Sequence, residues 1–247
     1  MNRIGLFSLR LAALLLLSLG VTGQLRADSV FGSNLIVNGN AEAGAASGDG
    51  FSVVAIPGWT VTGNLTVVKY GTSDFPSAGG PGLANRGNNF FAGGPSNGSS
   101  SATQTIDVSG GATTIDAGGV SFTLSGFIGG YLTQNDNAAL TASFRGAGNN
   151  QLGTASLGPV LSADRGGATG LLSQLASGLL PVGTRSIVIV LATNRTAGTY
   201  NDGYADNLSL TLNPVPEPGT LLLLGTGLAG LAARLNRKRK SEPVCYP

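Results

Sequence analysis

The sequence predicts an all-β protein: a single antiparallel β-sandwich, flanked by an N-terminal signal helix and a C-terminal transmembrane helix. Apolar and polar side chains alternate through the middle of the chain, which is typical of half-buried strands. Clusters of Gly, Asn, Ser and Asp separate these stretches and favour short strands with tight turns. An apolar segment stands near each end, next to basic residues. Together these observations divide the chain into four parts, 1–27, 28–213, 214–240 and 241–247.

The first part has the order of residues found in an export signal. Arg3 and Arg10 come first, and the apolar stretch Leu11–Val21 follows. This stretch is shorter than the roughly 20 residues that a membrane span needs. Ala27 then offers the small residue that signal peptidase requires. We therefore expect export through the Sec translocon and a mature chain that begins near Asp28; a buried helix of the fold is the alternative.

The second part consists of a series of short strands. Apolar residues alternate with polar ones in 120–125, 140–145 and 207–212, as they do in strands that bury one face. Further strands are expected at 34–38, 51–55, 59–69, 88–92, 102–108 and 151–158.

Two stretches of this part depart from simple alternation. Ser186–Ala192 is a continuous β-branched run, which favours a central strand covered on both faces. Gly170–Leu180 carries leucines at helical spacing and predicts a short helix or an irregular loop. These leucines are Leu171, Leu172, Leu175, Leu179 and Leu180.

The C-terminal part has three segments in a fixed order. Pro216-Glu217-Pro218 is a rigid extended element, because each Pro fixes its own φ and disfavours helix in the residue before it. Gly219–Ala233 is uncharged and mostly apolar, and as a helix it would be about 22 Å long. That is shorter than the roughly 30 Å hydrocarbon core of a bilayer. The basic run Arg237–Lys240 should stay cytoplasmic, which places the middle of the chain outside the membrane.

This tail resembles the PEP-CTERM sorting domain, a tail also described as an ice-binding protein C-terminal domain. The resemblance implies an exported protein of a Gram-negative bacterium, handled by an exosortase, a membrane protease that cuts at the Pro-Glu-Pro motif. Pro216, Glu217 and Pro218 would be recognised by that protease and would have no catalytic role of their own. The tail helix would hold the chain transiently in the inner membrane before it reaches the cell surface or the extracellular space. A plain C-terminal membrane anchor is the alternative.

Three motifs of the middle part resemble the galactose-binding-like jelly roll of many carbohydrate-binding modules. They are Asn34–Glu42, Ile56–Trp59 and Asp202–Leu210, which are similar to that family's opening strand, Pro-Gly-Trp segment and closing strand. The resemblance implies a jelly-roll sandwich and a structural calcium ion held by Glu42 and Asp206. Calcium takes roughly six to eight oxygen ligands, which carboxylates and loop carbonyls supply. Ordinary acids in turns or caps are the alternative for both residues.

Composition excludes several kinds of catalytic site. The chain has no His and one Cys, which excludes Ser-His-Asp and Cys-His catalysis, zinc sites with His ligands and an intrachain disulfide. Four acids could pair as in a glycosidase, but their spacing selects no two of them. They are Asp107, Asp116, Asp136 and Asp164. We therefore expect no enzyme, and Trp59, the sole Trp, is expected in the core rather than on a sugar ring.

The distribution of charge argues against a nucleic-acid partner. Charged residues make up 11% of the chain, compared with about 25% in typical soluble domains. The basic residues concentrate at the two ends, and the middle part has no run of Lys or Arg.

These observations favour an exported, exosortase-processed surface or extracellular protein with a non-catalytic sandwich. Its expected role is a structural or adhesive component of an exopolysaccharide or biofilm matrix, with extracellular polysaccharide as a partner. A secreted glycan-active enzyme or a carbohydrate-binding module is the alternative. Ice binding ranks third, because no Thr-x-Thr ladder repeats at a fixed period in the middle part.

Overall fold

The structure is a computed structural model, and two antiparallel β-sheets make up most of it. The predicted all-β sandwich is confirmed. The structure describes residues 30–80, 84, 86–215, 226–228 and 230–231. The predicted signal at 1–27 and the Pro216–Pro218 motif lie outside the described residues. The described residues of the apolar tail segment are helical.

Ten strands are present in the described part of the chain. They are β1 Thr60–Thr62, β2 Thr66–Lys69, β3 Asn89–Pro95, β4 Ser99–Asp107, β5 Val120–Gly130, β6 Asn137–Arg145, β7 Gln151–Leu157, β8 Gly170–Leu179, β9 Ser186–Asn194 and β10 Tyr200–Pro214. A 3₁₀ turn at Ser109–Gly111 and a short helix, α1, at Ala112–Asp116 connect β4 to β5.

The strand order is that of a jelly roll. β3 pairs with β10, β4 with β9, β5 with β8 and β6 with β7, so the last eight strands form one long antiparallel ribbon that folds over on itself. One sheet has the order β1-β4-β9-β6-β7 and the other β2-β3-β10-β5-β8. Closing the ribbon places the final strand, β10, at the centre of its sheet.

The core lies between the two sheets and follows the predicted alternation. Residues on β5, β6, β9 and β10 that face inward are fully buried, for example Leu124, Leu140, Ile189 and Leu210. Trp59 is also buried and packs edge-on against Phe91, with ring centroids 5.8 Å apart. The prediction that Trp59 belongs to the core is therefore confirmed.

The stretch predicted as one strand at 59–69 divides into two strands of different sheets. β1 pairs with β4 in one sheet, and β2 pairs with β3 in the other. The chain crosses between the sheets at Gly63, whose φ of +78° is unfavourable for residues with a Cβ. A Cβ at Gly63 would lie 2.9 Å from the Cβ of Ser100, so the crossover depends on glycine.

The segment 34–38, predicted as a strand, runs beside β10 without regular pairing. Leu35 N donates to Leu210 O at 2.9 Å, and Leu208 N donates to Gly39 O at 2.8 Å. Between these bonds the Asn34 side chain takes the place of the backbone, since its Oδ1 accepts from Leu210 N and its Nδ2 donates to Leu208 O. The opening and closing motifs therefore meet along the same strand.

Residues 51–55 are likewise a loop and not a strand. The carboxylate of Asp49 accepts hydrogen bonds from the backbone N–H groups of Phe51 and Ser52, both at 2.9 Å. A side chain that binds the following backbone in this way favours a turn over a strand ladder.

The helix or irregular loop expected at Gly170–Leu180 is strand β8, paired with β5 over ten residue pairs. Alternate residues such as Leu172 and Ala176 pack against the core, whereas Leu175 and Leu179 point outward. The expectation for Ser186–Ala192 is half correct: β9 is central in its sheet, but Val188 and Val190 on its outer face are only half buried. In both cases tertiary pairing decides the outcome, and local propensity does not.

Candidate functional site

Two acidic residues from the opening and closing motifs meet where β2 ends and β3 begins, in what we call the carboxylate junction (Glu42, Tyr70, Arg86 and Asp206). Glu42 Oε1 accepts from the backbone N–H groups that begin β3, those of Asn88 at 2.6 Å and Asn89 at 2.9 Å. The Asp206 carboxylate is buried and accepts from the Tyr70 hydroxyl at 2.8 Å.

Electrostatics couple the members of this junction. Burial raises the pKa of Asp206 to about 7, the Tyr70 hydrogen bond opposes the shift, and the charge of Glu42 adds to it. Arg86, whose guanidinium carbon lies 5.3 Å from the centre of the Tyr70 ring, lowers the pKa of Asp206. Glu42 and Asp206 therefore lie within electrostatic range of each other, with one cation already beside them.

The calcium ion that the resemblance implies finds only part of its ligand set at this junction. Two carboxylates are present, one of them buried, and a cation would relieve their repulsion. Both oxygens of Glu42 already accept from N–H groups of Asn88 and Asn89. Within the described residues no group of three or more His, Cys, Asp or Glu side chains could hold a metal. Amide and backbone oxygens would have to complete the site, so calcium binding stays a prediction.

A polar cleft adjoins the carboxylate junction, and we call it the asparagine cleft. Its volume is about 380 Å³. Its lining consists of Asn34, Ile36, Asn38, Gly39, Asn40, Asn207, Leu208 and Ser209. The side chains of Asn34 and Asn38 are occupied by backbone groups. Asn207 also lines the cleft, and its Nδ2 atom is buried without a hydrogen-bond partner.

Aromatic rings cover the outer face of the same sheet near the start of β10. Phe51 is 63% exposed and packs edge-on against Tyr200 and Phe75, at centroid distances of 5.6 and 6.5 Å. Phe75 also contacts Phe90 and Tyr204. Phe51 and Tyr200 are in contact although the loop and the strand that carry them are distant in sequence, so no sequence pattern pairs them.

The four acids considered for glycosidase chemistry all accept hydrogen bonds that hold local structure. Asp107 accepts from Ser109, Asp116 from Gly183 and Arg185, Asp136 from Thr196, Ala197 and Asp202, and Asp164 from Leu161. Asp116 and Arg185 also form an ion pair. None of the hydrogen bonds that these four acids accept comes from another of the four.

Asp136 does have an acidic neighbour, Asp202, which the sequence did not single out for catalysis. The backbone N–H of Asp202 donates to Asp136 at 3.0 Å, and the Tyr204 hydroxyl donates to the Asp202 carboxylate. Burial raises the pKa of Asp202 to about 6, while the Tyr204 hydrogen bond lowers it and the charge of Asp136 raises it. Both acids are buried, which suits a structural role better than contact with a polymer.

With the geometry described, the tail can be compared with known families. Residues 214–238 match the PEP-CTERM protein-sorting motif. The tail is a PEP-CTERM sorting signal. The motif implies an exported surface protein. None of the helices in the described part of the chain is long and apolar enough to cross a membrane, and no curated protein matches the sequence significantly.

Solved structures of similar fold include a phage tailspike domain, a xylanase that carries a carbohydrate-binding module, and a cyclase. Tailspike protein 4 of bacteriophage CBA120, enzymatically active domain, is 20% identical with a TM-score of 0.39; the match covers 72% of this chain and 21% of the other. The CBM22-1–GH10 modules of Clostridium thermocellum endo-1,4-β-D-xylanase 10B are 16% identical with a TM-score of 0.40, covering 74% and 28%. A cyclase from Fischerella sp. TAU is 18% identical with a TM-score of 0.48, covering 74% and 98%. The chain thus spans less than a third of the first two proteins, and similarity at this level carries no information about ligand or activity.

Proposed function

We propose that this protein is a non-catalytic structural or adhesive component of an extracellular polysaccharide matrix, sorted to the cell surface by an exosortase. The observation that carries the proposal is the sorting motif at 214–238, which begins at the last residue of β10. The sandwich is thus complete at the point where the sorting signal starts, as a cargo domain requires.

The proposed route to the surface has three steps. The Sec translocon and signal peptidase export the chain and remove residues 1–27. The apolar segment Gly219–Ala233 holds the chain transiently in the inner membrane, with Arg237–Lys240 on the cytoplasmic side. The exosortase then recognises Pro216, Glu217 and Pro218 and releases the sandwich to the surface or the extracellular space.

The absence of catalysis is part of the proposal. It is supported by the lack of His in the sequence and by the structural hydrogen bonds that occupy the acids of the sandwich. General acid–base chemistry needs a positioned group that a substrate can reach, and Asp136, Asp202 and Asp206, which each have another acid nearby, are buried.

The asparagine cleft is the part of the surface best suited to a neutral saccharide. Amide and hydroxyl groups both donate and accept hydrogen bonds, as the hydroxyl groups of a sugar do. Asn207 lines the cleft with an amide side chain, and Ser209 contributes a hydroxyl. These groups support an adhesive role through polysaccharide.

Intact mass of the extracellular form tests the sorting step. In a host with an exosortase, the mature protein is expected to begin near Asp28 and to lack Arg237–Lys240. Glu217→Ala should block this processing, whereas Glu242→Ala, an acid outside the motif, should leave it unchanged. A surface form that retains the basic run would contradict sorting by cleavage and favour a plain anchor.

Binding to the host's purified exopolysaccharide and to neutral oligosaccharides tests the adhesive role. Asn207→Gly combined with Ser209→Ala is expected to weaken binding about tenfold, equivalent to about 1.4 kcal/mol. Glycine tolerates the φ of +49° at position 207. Asn213→Gly, on the same strand but outside the cleft, is the control. Equal binding by all variants would place the saccharide elsewhere, and no binding by the unaltered protein would rule out the adhesive role.

A further inference from the structure

Four exposed apolar side chains cluster at the end of the sandwich where the chain leaves it. We call them the exit patch: Leu152, Leu179, Val182 and Val215, with exposed fractions of 37%, 69%, 58% and 48%. Large apolar side chains gathered at one end of a protein with few charges mark an interaction surface more often than single exposed ones do.

Backbone contacts place two members of the exit patch around the turn that precedes β5. Val215 N donates to Gly119 O at 2.6 Å, which fixes the chain exit against this turn. A Cβ built on Gly118 would lie 3.9 Å from Val182 Cγ2. Val182 and Val215 therefore flank the same pair of glycines.

The other two members are joined to this turn by strand register and by a neighbouring loop. Leu179 stands opposite Ser121 on β5, and Ser121 stands opposite Asn213 on β10, two residues before Val215. A Cβ built on Gly183 would lie 3.9 Å from Leu152 Cδ1, which puts Leu152 next to Val182. The four side chains thus occupy one end of the molecule.

The charge beside the exit patch is balanced. Asp116 accepts from Gly183 N and forms an ion pair with Arg185. The pair adds no net charge that would repel an anionic surface.

The covalent connection determines what this end faces. Three residues separate Val215 from Gly219, where the apolar tail segment begins. The four Cα–Cα steps between these two positions span at most about 14 Å when the chain is fully extended. Whenever the apolar segment is inserted, Val215 lies within that distance of the bilayer surface, and the rest of the exit patch lies beside Val215.

We propose that, before the tail is cut, the exit patch rests on the outer surface of the membrane that holds the tail, with its apolar side chains among the lipid headgroups. This inference depends on the proposed function, since it requires an inserted tail. Apolar side chains at the interface gain from burial in the same way as the apolar face of an interfacial helix. Docking would orient the sandwich upright and hold the Pro-Glu-Pro motif at the depth of a membrane protease.

The opposite end of the molecule supplies a matched control. Phe51 packs against Tyr200 at the start of β10, and Val215 follows the end of the same strand. A regular strand of this length spans about 45 Å, and the two register shifts within β10 make that value an upper limit. Phe51 is as exposed as the members of the exit patch, so it reports on an apolar side chain far from the exit.

Lipid quenching of a fluorescent label tests the proposal on the full chain reconstituted in phosphatidylethanolamine/phosphatidylglycerol vesicles. In a Cys245→Ser background, a polarity-sensitive label is attached at Val182→Cys, at Phe51→Cys or, within the tail segment, at Leu224→Cys. Lipids brominated near the headgroup are expected to quench the Val182 label at least twofold more than the Phe51 label. An unchanged melting temperature for each variant shows that the fold is intact.

Each other outcome overturns a specific step. Equal quenching at Val182 and Phe51, with the Leu224 label quenched, overturns membrane docking and leaves the anchor in place. An unquenched Leu224 label overturns the inserted tail of the proposed function, and docking with it. If the emission of the Val182 label depends on the amount of protein per vesicle and not on brominated lipid, a second copy of the chain covers the patch. This result also overturns docking on lipid.

Discussion

Gly39 shows how a short motif can encode a contact between distant parts of the chain. Its carbonyl accepts from Leu208 N at 2.8 Å, and a Cβ at this position would lie 2.1 Å from the Leu208 carbonyl oxygen. Any other residue would force the opening segment away from β10. The Asn-Gly-Asn sequence of the opening motif therefore reflects a close approach of two backbones.

Asp202 provides a prediction at the same scale, because burial raises its pKa from 3.8 to about 6. Between these values the unfolded chain has lost a proton that the folded state still holds, so unfolding becomes more favourable as pH rises. The contribution of Asp202 to the free energy of unfolding is fully present below pH 3.8 and is lost as the pH rises through about 6. Asp202→Asn should remove this part of the pH dependence, at most about 3 kcal/mol, and retain an acceptor for the Tyr204 hydroxyl.

Denaturant unfolding at pH 4, 5, 6 and 7, followed by the fluorescence of Trp59, measures this effect. Asp107→Asn is the control, because hydrogen bonds from Ser109 lower the pKa of Asp107 and its contribution has the opposite sign. If Asp202→Asn loses as much stability between pH 4 and 7 as the unaltered protein, the assignment to Asp202 is wrong.

At the scale of elements, β8 shows why spacing alone misled the sequence analysis. Its leucines recur every three or four residues, as on one face of a helix. In the structure Leu172 packs against the core while Leu175 is exposed. The leucines are compatible with the period of a helix and with the alternation of a strand. The pairing of β8 with β5 decides in favour of the strand.

Two substitutions separate the strand from the helix in solution. In a strand, Leu172→Ala should destabilise the protein by about 1–2 kcal/mol because it loses packing. Leu175→Ala should change stability by less than about 0.5 kcal/mol. On a helix both side chains would lie on the apolar face, and both changes would be costly. Chemical denaturation of the two variants measures the difference, and similar losses for both would contradict strand β8.

Elements with strict alternation could be predicted from sequence, and elements held by side chains could not. The stretches at 120–125, 140–145 and 207–212 are strands, each somewhat longer than expected. The loop at 51–55 follows from hydrogen bonds to Asp49, which strand propensity does not record. The asparagine cleft and the aromatic contact of Phe51 with Tyr200 depend on the order of strands in the sheet, which no single segment encodes.

At the scale of the whole molecule, the carboxylate junction joins the opening and closing motifs of the sandwich. A calcium ion bound by Glu42 and Asp206 would stabilise the folded state by about 2.7 kcal/mol at a hundredfold excess over its Kd. The melting temperature is then expected to rise with millimolar calcium and to fall with a chelator. Asp206→Asn should blunt the response.

Asp202→Asn is the matched control for calcium, since it removes another buried acid of β10 and should keep the response. Calorimetry with and without calcium measures both variants, and elemental analysis measures the bound metal. A melting temperature that does not change with calcium, in a protein that contains none, would contradict the site. The sandwich does not depend on this result, because its core is complete without the ion.

The position of β10 also sets the order of events while the chain is being made. β10 is the last strand to be synthesised, yet it lies at the centre of its sheet between β3 and β5. On the proposed Sec route the chain emerges with its N-terminus first, so the earlier strands reach the outside before the partner that joins them. The sorting signal follows immediately after β10. The fold is therefore completed at almost the same point of the chain at which the sorting signal begins. A chain truncated before β10 lacks both the complete sheet and the sorting signal.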